Sequence, residues 1–284
     1  MTSAADKPIL VLIHGWGLGS GVWQPARAAI EQRFHVVPIN LPGYKPPETP
    51  VDKGSSQTDS QKPHEQTASG KASRRTPFDA VSSPSPRQYP SFLQTAEALA
   101  ESVPEGCHLC GWSLGGLLAM QVAALAPQRI KRLIIVGGTP SFTQRADWPH
   151  AQPAGLLSLF STAVAQDAEA ALQRFAALLN QGDTQARMIG RTLLKPLLDA
   201  PLPDTVTLLA GLDWLRDVDL RPQLARITMP TQLIHGENDP LMPLPAVRWL
   251  QENLPDARLD IMPGAAHAPF LNDSEGFAAR LGDY

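Results

Sequence analysis

Gly111-Trp112-Ser113-Leu114-Gly115-Gly116 holds a serine between two glycines, and the chain changes character across it. Before it, Cys107-His108-Leu109-Cys110 suits a short buried strand. After it, residues 117–126 are apolar and rich in helix formers until Pro127 stops them. A Gly-x-Ser-x-Gly run between strand and helix predicts a tight, strained turn that exposes the serine hydroxyl, the glycines avoiding collisions where backbone segments crowd. The amide dipoles of the new helix then point toward the serine.

A serine hydroxyl is a poor nucleophile near neutral pH and needs a base, itself oriented by a carboxylate. Downstream, Thr231-Gln232-Leu233-Ile234-His235-Gly236 reads as a buried strand and puts Asp239 in the loop at its carboxyl end. A further strand over 257–262 leads into a loop carrying His267. Ser113, Asp239 and His267 follow the chain order of α/β-hydrolases. Asp213, Asp217 and Asp219 are rival acids without a preceding buried strand, and His235, inside a strand, reads as a packed histidine. Asp239 is also a residue that starts turns before proline. Acyl transfer further needs donors for the oxygen that becomes negative. Leu114 supplies one backbone amide, and Trp16, in the His14-Gly15-Trp16-Gly17 loop after the first strong strand, supplies the other.

The chain has 284 residues, 43% of them hydrophobic, enough for one sizeable α/β domain. A formal net charge of −3 argues against nucleic acid or an acidic membrane as partner, and no apolar run is long enough to span a bilayer. The N-terminus runs directly into a core strand, so a cytoplasmic location is expected. Cys107 and Cys110 would face opposite sides of a strand as buried thiols, with no second pair to complete a metal site. No metal or organic cofactor is expected.

Residues 1–140 form the first half of a mostly parallel, doubly wound hydrolase core, interrupted over 45–89 by a segment rich in Pro, Ser, Gln and charge that predicts a disordered insertion. Residues 141–215 hold helical stretches over 154–165, 167–180, 184–200 and 205–215 and no strand, a helical cap. Residues 216–284 return to the sheet.

His14-Gly15-Trp16-Gly17-Leu18, Gly111 to Gly116, Phe142-Thr143-Gln144-Arg145-Ala146-Asp147-Trp148-Pro149 and Ala265-Ala266-His267-Ala268-Pro269-Phe270 together resemble the BioH-type pimeloyl-[acyl-carrier protein] methyl ester carboxylesterases of biotin synthesis. The resemblance covers nearly everything except the insertion. It implies hydrolysis of a methyl ester on a carrier-bound pimeloyl chain, releasing methanol, with Ser113, Asp239 and His267 as triad and Trp16 and Leu114 at the oxyanion. It also implies that the helix bearing Phe175, Leu178 and Leu179 lines the acyl channel. The implied partner is an acyl carrier protein; such proteins are acidic, so Arg174, Arg187, Arg191 and Lys195 are docking candidates on a monomeric enzyme. Three features depart from the family. The N-terminal hairpin is missing, Asn40 replaces a common Asp, and the Gly-x-Ser expected after 41–44 is displaced by the insertion. Other readings of the same residues are a broad short-chain esterase or lactonase, and a hydrolase-shaped binding protein without turnover.

Overall fold

Ile9-Leu10-Val11-Leu12-Ile13 has no polar position, the pattern of a strand covered on both faces, and the computed structural model forms β1 over Ile9–Ile13 with its last four residues buried. The structure describes residues 7–45, 89–199 and 201–282, with only the backbone of 196–199. The other strands are β2 (His35–Ile39), β3 (Cys107–Trp112), β4 (Ile130–Val136), β5 (Thr231–Gly236) and β6 (Ala257–Met262). Their order is β2-β1-β3-β4-β5-β6, and every pairing is parallel.

From β1 the chain moves outward to β2, then returns past β1 and builds the sheet in the other direction. The reversal makes a crevice between β1 and β3, outside the strand carboxyl ends, where open α/β sheets place their sites. Register sets Ile13 opposite Gly111, Trp112 opposite Val136 and Val136 opposite Ile234, so the loops after β1, β3, β4 and β5 emerge along one rim. Among the described residues the sheet ends at β2.

Crossover helices cover the sheet: α1 (Gln24–Glu31), α2 (Phe92–Ser102) and α3 (Leu114–Leu125) in the first half, α8 (Leu244–Asn253), α9 (Pro269–Asn272) and α10 (Ser274–Gly282) in the second. α1 packs with α10, and α2 with α3. The start of α2 is defined by a capping box, Ser91 Oγ accepting from Gln94 N (3.2 Å) and Gln94 Oε1 from Ser91 N (2.9 Å). α3 is buried all round from Leu114 to Ala124, as its uniformly apolar sequence requires.

Between β4 and β5 lie α4 (Ala154–Gln166), α5 (Ala168–Leu179), α6 (Ala186–Asp199) and α7 (Thr205–Asp217), all within two residues of the expected bounds. Asp167 and Asp204 cap α5 and α7, accepting from Ala170 N (3.0 Å) and Thr207 N (2.7 Å). α4 packs against α5 and α7, and α5 against α6. Cys107 and Cys110 are free and buried, and burial pushes both thiols up. The predicted insertion, apart from Lys45 and Tyr89 at its flanks, lies outside the described residues. Those flanks meet: Tyr89 Oη donates to the Pro42 carbonyl at 2.7 Å.

Candidate active site

β3 ends at Trp112, and α3 begins at Leu114. The residue between must reverse the chain at once. Ser113 does so at φ 57°, the only non-glycine with positive φ among the described residues. Such strain in an L-residue persists only where the surroundings over-determine it. Ser113 N–H donates to Val136 O (3.0 Å), and its carbonyl accepts from Gly116 N (2.9 Å) and Leu117 N (3.1 Å). A side chain on Gly111 would meet the Gly115 carbonyl, and one on Gly115 the carbonyls of Ile13 and His14. The glycines are therefore fixed by backbone crossing backbone.

The loop after β1 comes against this turn: a Cβ added to Gly15 would lie 3.2 Å from Ser113 Cβ. His14 shapes the loop. Its Nε2 accepts the Leu41 N–H (3.0 Å), so Nδ1 carries the proton and donates to the Gly15 carbonyl (2.7 Å). Burial lowers its pKa to about 4, only partly countered by that bond, and the ring is neutral. Among the described residues, the N–H groups of Trp16 and Leu114 meet no protein acceptor. They are free to donate to a ligand oxygen.

Asp239 follows β5, where its Oδ1 accepts from Leu241 N (2.8 Å) and Met242 N (2.9 Å). Its Oδ2 lies 2.8 Å from Nδ1 of His267, with both side chains essentially buried. Burial opposes the charge on Asp239, but His267, by charge and hydrogen bond, together with His235 and the Met242 N–H, outweighs it and holds the carboxyl below its usual range. An ionised carboxylate only accepts, so His267 carries its proton on Nδ1 and keeps the Nε2 lone pair. That Nε2 is buried and without a hydrogen-bond partner.

Trp112, beside Ser113, donates its indole N–H to the His267 carbonyl at 2.8 Å. The glycines after β4 span both sides: a Cβ on Gly138 would lie 3.8 Å from Ser113 O, and one on Gly137 3.2 Å from His267 Nδ1. The three predicted residues thus come to one rim from three separate strand ends. His235 is packed, as expected, but not idle. Its Nε2–H donates to Met242 O (2.9 Å) and lies 3.8 Å from Asp239 Oδ2. The rival acids are engaged elsewhere: Asp213 and Asp217 pair with Arg216, and Asp219 pairs with Arg221 and Arg145.

A small pocket opens above Ser113, lined by Trp16, Phe142, Phe160, Phe175 and Leu215 among others, with Ser113 the only hydroxyl or charged side chain among the described residues of its wall. Trp16 is steadied by its indole N–H on Leu208 O (2.8 Å) and by an edge-on contact with Phe175, ring centroids 4.9 Å apart. Of the three α5 residues expected to line the channel, only Phe175 does so. Leu178 and Leu179 are absent from the wall; Leu179 instead lends its carbonyl to His267 N–H at 3.1 Å. One helical face cannot serve both chamber and loop, so the last turn of α5 went to the loop. The sequence reading missed Leu156, Leu157 and Phe160 of α4 and Leu212 and Leu215 of α7. Only the α4 residues had a signal, a 13-residue helix without one charged residue. Arg174, Arg187, Arg191 and Lys195 are exposed on α5 and α6 and form no ion pair among the described residues.

The sequence and the fold both have counterparts among known proteins. A family model described as "Alpha/beta hydrolase family" matches residues 10–280, and the chain belongs to that family. It is 36% identical over 278 residues, 98% of this chain and 95% of the relative, to the pimeloyl-[acyl-carrier protein] methyl ester esterase of Nitrosomonas europaea. To the protein of the same name from Aromatoleum aromaticum it is 33% identical over 283 residues, 98% of each chain. Within the superfamily it is a member of this esterase family. In fold it is similar to an esterase from Exiguobacterium antarcticum, with TM-score 0.75 and 20% identity over 96% of this chain and 90% of that one. No helix among the described residues is long and apolar enough to cross a membrane.

Proposed function

We propose that this chain is a serine carboxylesterase that hydrolyses the methyl ester of pimeloyl-[acyl-carrier protein], giving methanol and the free ω-carboxylate for biotin synthesis. The observation that carries the reading is the 2.8 Å Asp239–His267 pair beside a strained Ser113 at the floor of an otherwise apolar chamber. In this mechanism Ser113 Oγ attacks the ester carbonyl while His267 Nε2 takes its proton. The oxyanion receives the N–H groups of Leu114 and Trp16. Collapse expels methanol, protonated by His267, and leaves an acyl-Ser113. Water, deprotonated by the same Nε2, then attacks and releases the acid.

The apolar chamber supports a neutral methyl ester as the group admitted. A newly formed carboxylate finds no cation among the described residues of that wall, and burying it unpaired is costly, which favours release of the product. Residues 141–215 serve as the cap, with α4 and α7 roofing the chamber. Arg174, Arg187, Arg191 and Lys195 form the surface for an acidic carrier, with which the enzyme shares the cytoplasm. Wild-type protein assayed on carrier-bound pimeloyl methyl ester and on short free esters tests the reading. A kcat/KM at least tenfold higher on the carrier-bound ester is expected; equal values would favour a broad esterase, and turnover of neither a binding protein.

A further inference from the structure

The connection between α5 and α6 lies against the loop that carries His267. His267 N–H donates to Leu179 O (3.1 Å), and Thr184 N–H to Gly264 O (2.9 Å). On the acid's side, Asn238 Nδ2 donates to Gly182 O (3.0 Å). At the centre stands Asp183, a carboxylate only 8% exposed. Its Oδ2 accepts the N–H of Ala266, the residue before His267, at 2.7 Å. Its Oδ1 accepts from Gln185 N (2.7 Å) and Asn272 Nδ2 (2.6 Å).

We propose that Asp183 is a positioning residue for His267, through which the helical segment over the chamber holds the base in register with Ser113. The inference rests on the assignment of His267 as base. Several contacts already fix His267: Asp239 at the ring Nδ1, Trp112 at the backbone carbonyl and Leu179 at the backbone amide. Just before it, Gly264 N–H is taken by Glu237 and Ala265 N–H by the Met262 carbonyl, which leaves the Ala266 N–H to Asp183. A loop of small residues, Gly264-Ala265-Ala266, has no side chain able to lock itself, so an external acceptor supplies the restraint. Charged acceptors make the stronger hydrogen bonds, and a displacement of about 1 Å at a reacting group costs ~10²-fold in rate. The helix that precedes this connection, α5, contributes Phe175 to the chamber wall and, at its last residue Leu179, the carbonyl that accepts the His267 N–H.

Asp183→Asn tests this on a small free methyl ester, which needs no carrier surface. An amide keeps its oxygen toward the two donors at Gln185 and Asn272 and turns its NH₂ against the Ala266 N–H, breaking the bond of interest. We expect kcat to fall tenfold or more with KM within threefold of wild type. Asn272→Ala removes a donor from Asp183 without touching the Ala266 bond; it should lower the melting temperature and leave kcat within threefold. Should Asp183→Asn not yield folded protein, Asp183→Ser, too short to reach Ala266 N–H, is read in the same way. A folded Asp183 variant with kcat within threefold of wild type or of Asn272→Ala overturns the proposal, as does a loss confined to KM. His267→Ala, run alongside, separates the two levels. If it is inactive while Asp183→Asn is fully active, only the role of Asp183 falls; if it is itself active, the base assignment falls.

Discussion

The floor and the roof of the chamber are built on different physics. The floor consists of loops leaving parallel strands, and it is held by hydrogen bonds: Asp239 to His267 and two backbone amides, Trp112 to the His267 carbonyl, His14 to Gly15 and Leu41. The roof is held by dispersion and apolar burial, through Phe160, Phe175 and Leu215, without a polar side chain among the described residues that line it. Hydrogen bonds impose direction and short range, whereas apolar packing tolerates exchange of shape at equal volume. Changes to the floor should therefore act on kcat, and changes to the roof on KM.

The sharpest break is at the reacting atoms. Ser113→Ala or His267→Ala should lower kcat by about 10⁴-fold or more while the thermal melt stays near wild type. Fluorophosphonate labelling should vanish in the first variant and slow greatly in the second. Turnover near wild type in either would remove that residue from the floor. Asp239→Asn keeps the shape but can donate to Nδ1, favouring the wrong tautomer; a loss of about 10²–10⁴-fold in kcat is expected, read from methanol release.

A third effect concerns stability rather than rate. His14 is neutral in the fold, with a pKa of about 4 against 6.5 when unfolded. The unfolded chain therefore binds the extra proton first as pH falls. Stability fully present above the unfolded value is lost between it and the folded one, on the order of 3 kcal/mol from His14, with the lowered pKa of His235 adding in the same direction. Urea melts between pH 7.5 and pH 4.5 measure it, and His14→Gln should flatten the slope. An unchanged slope in that variant would show that the loop after β1 does not rest on the neutral ring.

Roof changes should be milder. Phe160→Ala is expected to raise KM for the free methyl ester about tenfold or less with kcat within threefold, since it removes only apolar contact. A fall confined to kcat would mean that the roof also aligns the reaction. The smallest effect is expected at the surface: Arg187→Glu with Arg191→Glu should raise KM for the carrier-bound ester several-fold, less so at high salt, with free esters unaffected. Equal losses on both substrates would point to disturbance of α6 instead.

The floor was legible in the sequence because its parts are local. A serine between glycines at a strand-to-helix junction has one backbone solution, and Asp239 and His267 each follow a recognisable strand by a few residues. The four helices between β4 and β5 were equally legible as elements, from their apolar, helix-forming sequences. Their inner faces were not. Leu178 and Leu179 share a helical side with Phe175 in sequence, yet only Phe175 reaches the chamber, and five lining residues of α4 and α7 carried no pattern that separated chamber from core.

What this sequence determined by itself, then, is the strained turn at Ser113, the parallel sheet and the chain order and strand-end placement of Ser113, Asp239 and His267. Each follows from short-range backbone sterics or from unbroken apolar runs. Only the tertiary structure decided that Leu179 and Asp183 hold the loop of His267, that His235 braces the turn of Asp239 through Met242, and which apolar side chains line the chamber. These contacts join residues up to 88 positions apart, His267 and Leu179 among them. A helix face is chosen by what it packs against, and no local pattern encodes the neighbour.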